Sequence, residues 1–331
     1  MIRCIYILLF LAPLANDCLG QDYLLSQRGN LVQVINPAKV GIMEADYRAG
    51  IAYRNQWSTI SKAYVTSAAH FDMPLLKKNT GGHYLGAGLL IIRDKAGKSQ
   101  MGTFEARGSL AAHLALNDYN RLSTGLLIGY SQRSINLKGL SWDSQYNGVG
   151  YDPSLSHGED IQRQKEGFFD AGIGVEWARR RKTNYTLSYA LFHYGQNQSM
   201  LGSKDKLFMR HVFQANWNVK VKALTWDFEV ITQLQSGAFE AVVGAKARYR
   251  LGLDSRYTDN MTSSGIMAGI YYRYNDAIIP MLGYEYKRFI TAWFSYDLNV
   301  SKLRVASASH GAWEIHILHT GFLKKRRVKL R

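Results

Sequence analysis

Beyond residue 44 the chain alternates apolar and polar positions with a period of two, in stretches of about ten residues. From Phe169 to Trp177 the odd positions read Phe169, Ala171, Ile173, Val175 and Trp177, while the even ones read Asp170, Gly172, Gly174 and Glu176. Leu224, Trp226, Phe228 and Val230 oppose Thr225, Asp227 and Glu229 in the same way. Ile290, Ala292, Phe294, Tyr296 and Leu298 oppose Thr291, Ser295, Asp297 and Asn299, and Trp313, Ile315 and Ile317 alternate with Glu314 and His316. Side chains of a strand point to opposite faces at successive positions, so each stretch predicts a strand with one apolar and one polar face. The pattern places strands at 45–55, 61–72, 82–93, 101–116, 122–133, 167–178, 184–193, 207–218, 223–235, 239–250, 263–274, 277–287, 289–299 and 311–320. That is about fourteen, an even number, separated by clusters of Gly, Asn, Asp, Ser and Lys.

Two packings suit such strands. A secreted β-sandwich would bury the apolar faces, whereas a transmembrane antiparallel β-barrel would turn them to lipid. Aromatic residues favour the barrel: Tyr47, Tyr53, Trp177, Tyr185, Trp217, Trp226, Tyr272, Tyr296 and Trp313 lie toward strand ends on the apolar faces, where an interfacial girdle belongs. The polar faces carry both signs, with Arg48, Arg54, Arg107, Lys246, Arg248 and Arg273 against Glu105, Asp170, Glu176, Asp227, Glu229, Glu240, Glu285 and Glu314. Charges that compensate across a lumen suit a partly filled interior better than an open pore. In hydrocarbon each unpaired backbone group costs several kcal/mol, so the first and last strands are expected to pair. Proline is compatible with this, since Pro280 alone falls inside an expected strand, near its start.

The first residues have another purpose. Arg3 precedes the apolar run Ile5 to Leu14, and Cys18-Leu19-Gly20 offers small residues for cleavage, so residues 1–20 read as a secretory signal peptide and Gln21 as the mature start. The run is too short for a membrane helix, which needs roughly 20 residues. Both cysteines, Cys4 and Cys18, lie within the expected signal peptide, so no thiol or disulfide is expected in the mature chain. The organisation expected is then an N-terminal segment at 21–44, a barrel at 45–320 and a basic tail at 321–331. The N-terminal segment either dangles or folds back into the lumen as a plug. The formal charge of +16 is retained after cleavage and points to anionic partners: lipid phosphates, lipopolysaccharide or acidic polypeptide. Nucleic acid is a poor partner for an exported chain whose basic residues are dispersed.

Particular stretches resemble a known family. Asn36-Pro37-Ala38, Tyr47-Arg48 and Tyr53-Arg54-Asn55-Gln56-Trp57 are similar to the opening of PorP/SprF proteins, as is the Gln21-Asp22 start. Gly150-Tyr151-Asp152-Pro153-Ser154, Tyr272-Arg273-Tyr274-Asn275-Asp276 and Ser295-Tyr296-Asp297-Leu298-Asn299 follow in the family's order. The resemblance implies an outer-membrane barrel without enzymatic activity that works with the type IX secretion machinery. It would bind, export or retain a specific secreted protein or adhesin carrying a type IX sorting domain, in a setting that includes gliding motility. The alternative is an outer-membrane transporter or channel for small hydrophobic or polar solutes, with the N-terminal segment as its hatch.

No Ser-His-Asp spacing, phosphate loop or dinucleotide fingerprint occurs in a supporting context, so no catalytic residue and no cofactor is expected. His70, His113, His193, His211, His316 and His319 fall on separate strands or on opposite faces of one, which argues against a metal site. With both termini in the periplasm, the longest connection, 134–166, lies outside and the Arg179-Arg180-Arg181-Lys182 run lies in the periplasm. Candidate partner-binding residues are therefore Trp142, Tyr146, Tyr151 and Asp152 on that external loop, with Trp57 at another outer turn.

Overall fold

The computed structural model describes residues 22–58, 62–77, 81–97, 99–137, 140–158, 164–181, 183–195, 207–252, 263–302 and 304–323. The segment expected to be a signal peptide (1–20) and the tail beyond 323 lie outside the described residues. No described helix is long and apolar enough to cross a membrane.

Among the described residues there are fourteen strands: β1 (Tyr47–Gln56), β2 (Tyr64–Leu75), β3 (Tyr84–Ala96), β4 (Met101–Ala115), β5 (Asn120–Ser134), β6 (Lys165–Arg180) and β7 (Thr183–Phe192), then β8 (Arg210–Val221), β9 (Leu224–Gln235), β10 (Ala238–Leu251), β11 (Ser264–Arg273), β12 (Ala277–Tyr286), β13 (Ile290–Asn299) and β14 (His310–Gly321). Every strand pairs antiparallel with its sequence neighbours, and β1 closes on β14 from Tyr47–Gly321 to Gln56–Ala312. The closed ladder removes the free edges that hydrocarbon would penalise and rules out the sandwich.

The apolar faces point outward. Phe169 is 75% exposed and Ile128 70%, while Glu314 and His316 on the inner face are fully buried. Inside-out burial of this kind is stable only with lipid as the outer solvent. The strands at 61–72 and 207–218 are displaced by about three residues from expectation, to Tyr64–Leu75 and Arg210–Val221. β2 thereby includes Pro74, so Pro280 is not alone inside a strand. Pro280 itself sits where the β12–β13 ladder is interrupted, between the pairs Ile278–Leu298 and Met281–Ser295, because it has no N–H to donate.

An even strand number puts both sheet termini at one end. The short β6–β7 and β8–β9 connections lie there, with the β10–β11 connection longer, and the long β5–β6 connection lies at the other. Short periplasmic turns and long external loops are the rule for outer-membrane barrels, which assigns the Tyr47 end to the periplasm.

Candidate functional site

Inside the barrel, residues 22–44 run from the outer mouth to the periplasmic end and meet the inner faces of strands all around the wall. Of the two courses left open for this segment, the lumenal one is observed. Its backbone is irregular, with short turns at Arg28–Asn30, Val32–Ile35 and Pro37–Lys39. Its unpaired N–H groups need acceptors in a dry interior, and the inward-facing carboxylates of the wall supply several.

At the outer mouth Asp22 accepts from His193 Nε2 at 2.7 Å and lies 3.3 Å from Arg210 Nε. His193 Nδ1 is 3.1 Å from the Asp170 carboxylate. Burial pushes the Asp22 carboxyl up, but the His193, Arg210 and Arg133 charges outweigh it and hold it well below the usual carboxylate range. Burial likewise lowers His193, yet the two carboxylates raise it to about 9.

One turn deeper, Ser26 and Gln27 donate their backbone N–H groups to the two oxygens of Glu314, at 2.7 and 3.1 Å. Ser26 Oγ donates to Asp297 at 2.7 Å and accepts from Arg54 and Arg273 at 2.6 and 2.7 Å. Asp297 also pairs with both arginines, at 2.9 and 3.2 Å, and lies at a bulge in the β13–β14 register. Bulges re-aim side chains, and this one sits where the hub is built. Arg28 reaches Glu240 at 2.8 Å.

Toward the periplasm, Gln33 Nε2 donates to the carbonyls of Phe71 and Leu89. Asn36 caps Ala38 N with its side-chain oxygen, and its amide donates to the carbonyls of Val175 and Tyr189. Lys39 pairs with Glu176 at 2.7 Å, and Gly41 N donates to Asp72. These contacts account physically for Asn36-Pro37-Ala38: proline begins a turn that an asparagine has already capped, and the cap is pinned between β6 and β7. The wall makes room with glycines. A Cβ on Gly174 would collide with the Asn36 side chain, and one on Gly125 with the Pro37–Ala38 backbone.

Other lumenal charges pair as their mixed signs suggested, Arg48 with Asp72, Arg107 with Glu105, Lys246 with Asp227 and Arg248 with Glu285. His70 and His316 are nevertheless brought together, Nε2 to Nε2 at 3.1 Å across β1, although they are far apart in sequence. No group of three or more metal-ligating side chains occurs among the described residues. The remaining lumen near β10–β13 is apolar, with Val242, Met267, Tyr271, Ile279, Met281 and Trp293 packed on one another.

The expected partner-binding residues divide between two outer connections. In the 140–158 loop Tyr146 bridges Tyr151, and these two are 60% and 50% exposed. Trp142 packs beside His157, with ring centroids 5.7 Å apart. Asp152 accepts from Ser154 N and Oγ, which holds its carboxyl below the usual range, and its own N–H donates to Gln145 O. Trp57 stands apart in the β1–β2 turn, edge-on to Tyr64 at 5.0 Å, with its N–H on Gly311 O. The lumenal anchors Asp22, Ser26, Arg28 and His193 escaped the sequence reading. A signal in the sequence exists for the segment's course and not for these anchors: Gly125 and Gly174 on polar faces leave space that Asn36, Pro37 and Ala38 fill.

A closed, even-stranded barrel with an apolar exterior and an ion-paired interior is an outer-membrane β-barrel. The chain belongs to the PorP/SprF family of type IX secretion system membrane proteins, whose family model matches residues 19–318. No curated protein matches the chain in sequence. Among solved structures it is similar to the Ralstonia pickettii toluene transporter TbuX, with a TM-score of 0.52, 11% identity and coverage of 87% of this chain and 92% of that one. The CymD monoaromatic hydrocarbon channel gives 0.52, 12% identity and the same coverages, 87% and 92%. A Pseudomonas aeruginosa FadL homologue gives 0.50 at 9% identity, covering 86% and 92%. At such identities the likeness concerns the fold.

Proposed function

We propose that the protein is a non-enzymatic accessory barrel of the type IX secretion system that holds a secreted protein or adhesin, one carrying a type IX sorting domain, at the outer face. The observation that carries this reading is a lumen occupied from end to end by residues 22–44 beneath an exposed aromatic loop. Such an interior acts as a plug, and the outer rim is left as the working surface. Tyr146 and Tyr151 supply rigid amphipathic area, Trp142 and Trp57 add apolar anchors, and Asp152 offers an ionised carboxylate to a basic partner. Affinity isolation from native membranes should recover the secreted partner with the wild-type barrel. Replacing 140–158 by a short Gly-Ser linker should abolish recovery, and Tyr146→Ala with Tyr151→Ala should reduce it by at least tenfold, as loss of central aromatic anchors does. Undiminished recovery from both variants would remove the loop from the interface.

A second reading is favoured by the apolar inner surface around Ile279, Met281 and Trp293. In it, the barrel passes small hydrophobic solutes when residues 22–44 shift, and the segment serves as a hatch. Solute-dependent uptake into liposomes by the intact chain distinguishes it from the first.

The outer anchor also gives a pH window. His193, raised to about 9, contributes its charge fully below the ordinary imidazole value of ~6.5 and loses it as pH rises through 9. Asp22, depressed, contributes above the ordinary carboxylate value of ~3.9 and loses its charge as pH falls through its own lower value. Transient channel openings in planar bilayers are therefore expected to become several-fold more frequent above pH 9. His193→Ala should open at a high rate at all pH values, and an identical pH dependence in that variant would exclude the pair as the latch.

A further inference from the structure

On the lipid-facing wall, one row of side chains crosses four strands in direct register: Arg179 of β6, Tyr185 of β7, Trp217 of β8 and Phe228 of β9. Tyr185 and Trp217 stack with ring centroids 6.1 Å apart and planes within 5°, and Trp217 continues onto Phe228 at 5.3 Å. Trp226 extends the stack from Phe228 at 6.2 Å. All four rings are exposed on the outer surface. The row lies at the periplasmic end of these strands, and directly below it the β6–β7 and β8–β9 turns present Arg181 and Lys222, both exposed. Among the described residues no carboxylate forms an ion pair with Arg179, Arg181 or Lys222.

Within the corner Arg181 lies over the Tyr119 ring at 5.4 Å, and elsewhere on the periplasmic rim several cations are likewise engaged. Lys287 lies over Tyr286, Lys77 over Tyr84, and Arg288 pairs with Glu44. The β6–β9 corner differs in combining a stacked aromatic shelf with an outward-facing arginine that no acidic side chain answers. An arginine facing lipid must snorkel to the headgroup level, where its planar fork matches two phosphate oxygens. Tyr and Trp at that depth contact the glycerol and upper acyl region. A nearby cluster of further cations favours a net negative headgroup over a zwitterionic one.

We infer that this corner is a binding site for the headgroup of an anionic phospholipid in the periplasmic leaflet. Arg179 takes the phosphate, Arg181 and Lys222 supply the surrounding positive field, and Tyr185, Trp217 and Trp226 form the shelf on which the lipid rests. The position excludes lipopolysaccharide, which occupies the opposite leaflet, and the inference is independent of what the outer loop holds.

The full mature chain, reconstituted in nanodiscs of equal phosphatidylglycerol and phosphatidylethanolamine, is released gently and its retained lipids are counted by native mass spectrometry. Phosphatidylglycerol should be enriched about tenfold over phosphatidylethanolamine, the scale expected for a few cooperating cations at a membrane surface. The triple variant R179Q/R181Q/K222Q should lose the preference while keeping the heat-dependent gel shift of a folded barrel. Trp217→Leu, which keeps the charges and an apolar surface, should retain a preference for phosphatidylglycerol but release it faster. Equal retention of the two lipids by the wild type, or undiminished enrichment in the triple variant, would overturn the site. So would a corner that captures an acidic polypeptide in a charge-dependent manner but shows no lipid preference.

Discussion

Deleting residues 22–40 should convert a closed barrel into a conducting one. The fourteen strands keep every ladder hydrogen bond, because β1 begins at Tyr47 and its pairing with β14 starts at that residue. What is lost is the lumenal filling: Leu25, Leu31, Val34, Ile35 and Val40, each at most 2% exposed, and the polar anchors at Asp22, Ser26 and Asn36. Water would then reach Asp170, Glu314, Arg54 and Arg273, which prefer hydration to an emptied dry cavity. Planar-bilayer recordings should change from a flat baseline to steady stepwise current, with no change in the heat-dependent gel shift. Gly125→Leu should give the same effect in part, as intermittent current, because a side chain there meets the Pro37–Ala38 backbone, which cannot swing aside as a side-chain tip can. A deletion variant that stays silent would mean that the apolar cluster around Trp293 closes the lumen unaided.

The second large effect concerns Asp297. Its carboxylate receives Arg54, Arg273 and the Ser26 hydroxyl inside a site where both arginines are nearly inaccessible. Removing one partner of a buried ion pair costs about 3–5 kcal/mol, because the remaining charge is left without its counter-ion. Arg54 keeps Glu314 at 3.3 Å and Arg273 keeps Asp276 at 2.7 Å, which places Asp297→Ala near the lower end, about 3 kcal/mol. Urea titration of the barrel refolded in lipid should show a lower midpoint at unchanged slope. Asp152→Ala, on the exposed loop, should move the midpoint by no more than about 0.5 kcal/mol. Equal effects of the two substitutions would show that the lumenal hub contributes nothing beyond an ordinary surface carboxylate. Asp297→Asn separates charge from shape, since its amide oxygen still accepts from Ser26 while the countercharge to both arginines is gone. It should fall between wild type and Asp297→Ala.

These two results would show that the buried ion pairs of the interior hold residues 22–44 in place and that this segment closes the lumen. The hub that holds residues 22–30 is built from strands at the outer end of the wall: Arg54 of β1, Arg273 of β11, Asp297 of β13 and Glu314 of β14. A partner seated on the outer loops therefore lies close to the contacts that keep the segment in place.

The sequence by itself determined the barrel. A period of two is written locally into each strand, since successive Cβ atoms must face opposite sides, and a polar face opposed to an aromatic one has few solutions other than a closed sheet in lipid. The strand count and most boundaries follow from that local rule. Where they slipped, as at β2 and β8, the limits were set by pairing with Leu85 and Leu224 across neighbouring strands, which no single stretch encodes. Only the tertiary structure decided that Asp22 meets His193, that Ser26 joins Asp297 to Glu314, and that Gly125 and Gly174 are clearances for Pro37, Ala38 and Asn36. Those partners lie well over a hundred residues apart in most cases, and an irregular segment has no periodicity to announce its course. Its path is fixed by the buried donors and acceptors that must find one another once the wall has closed.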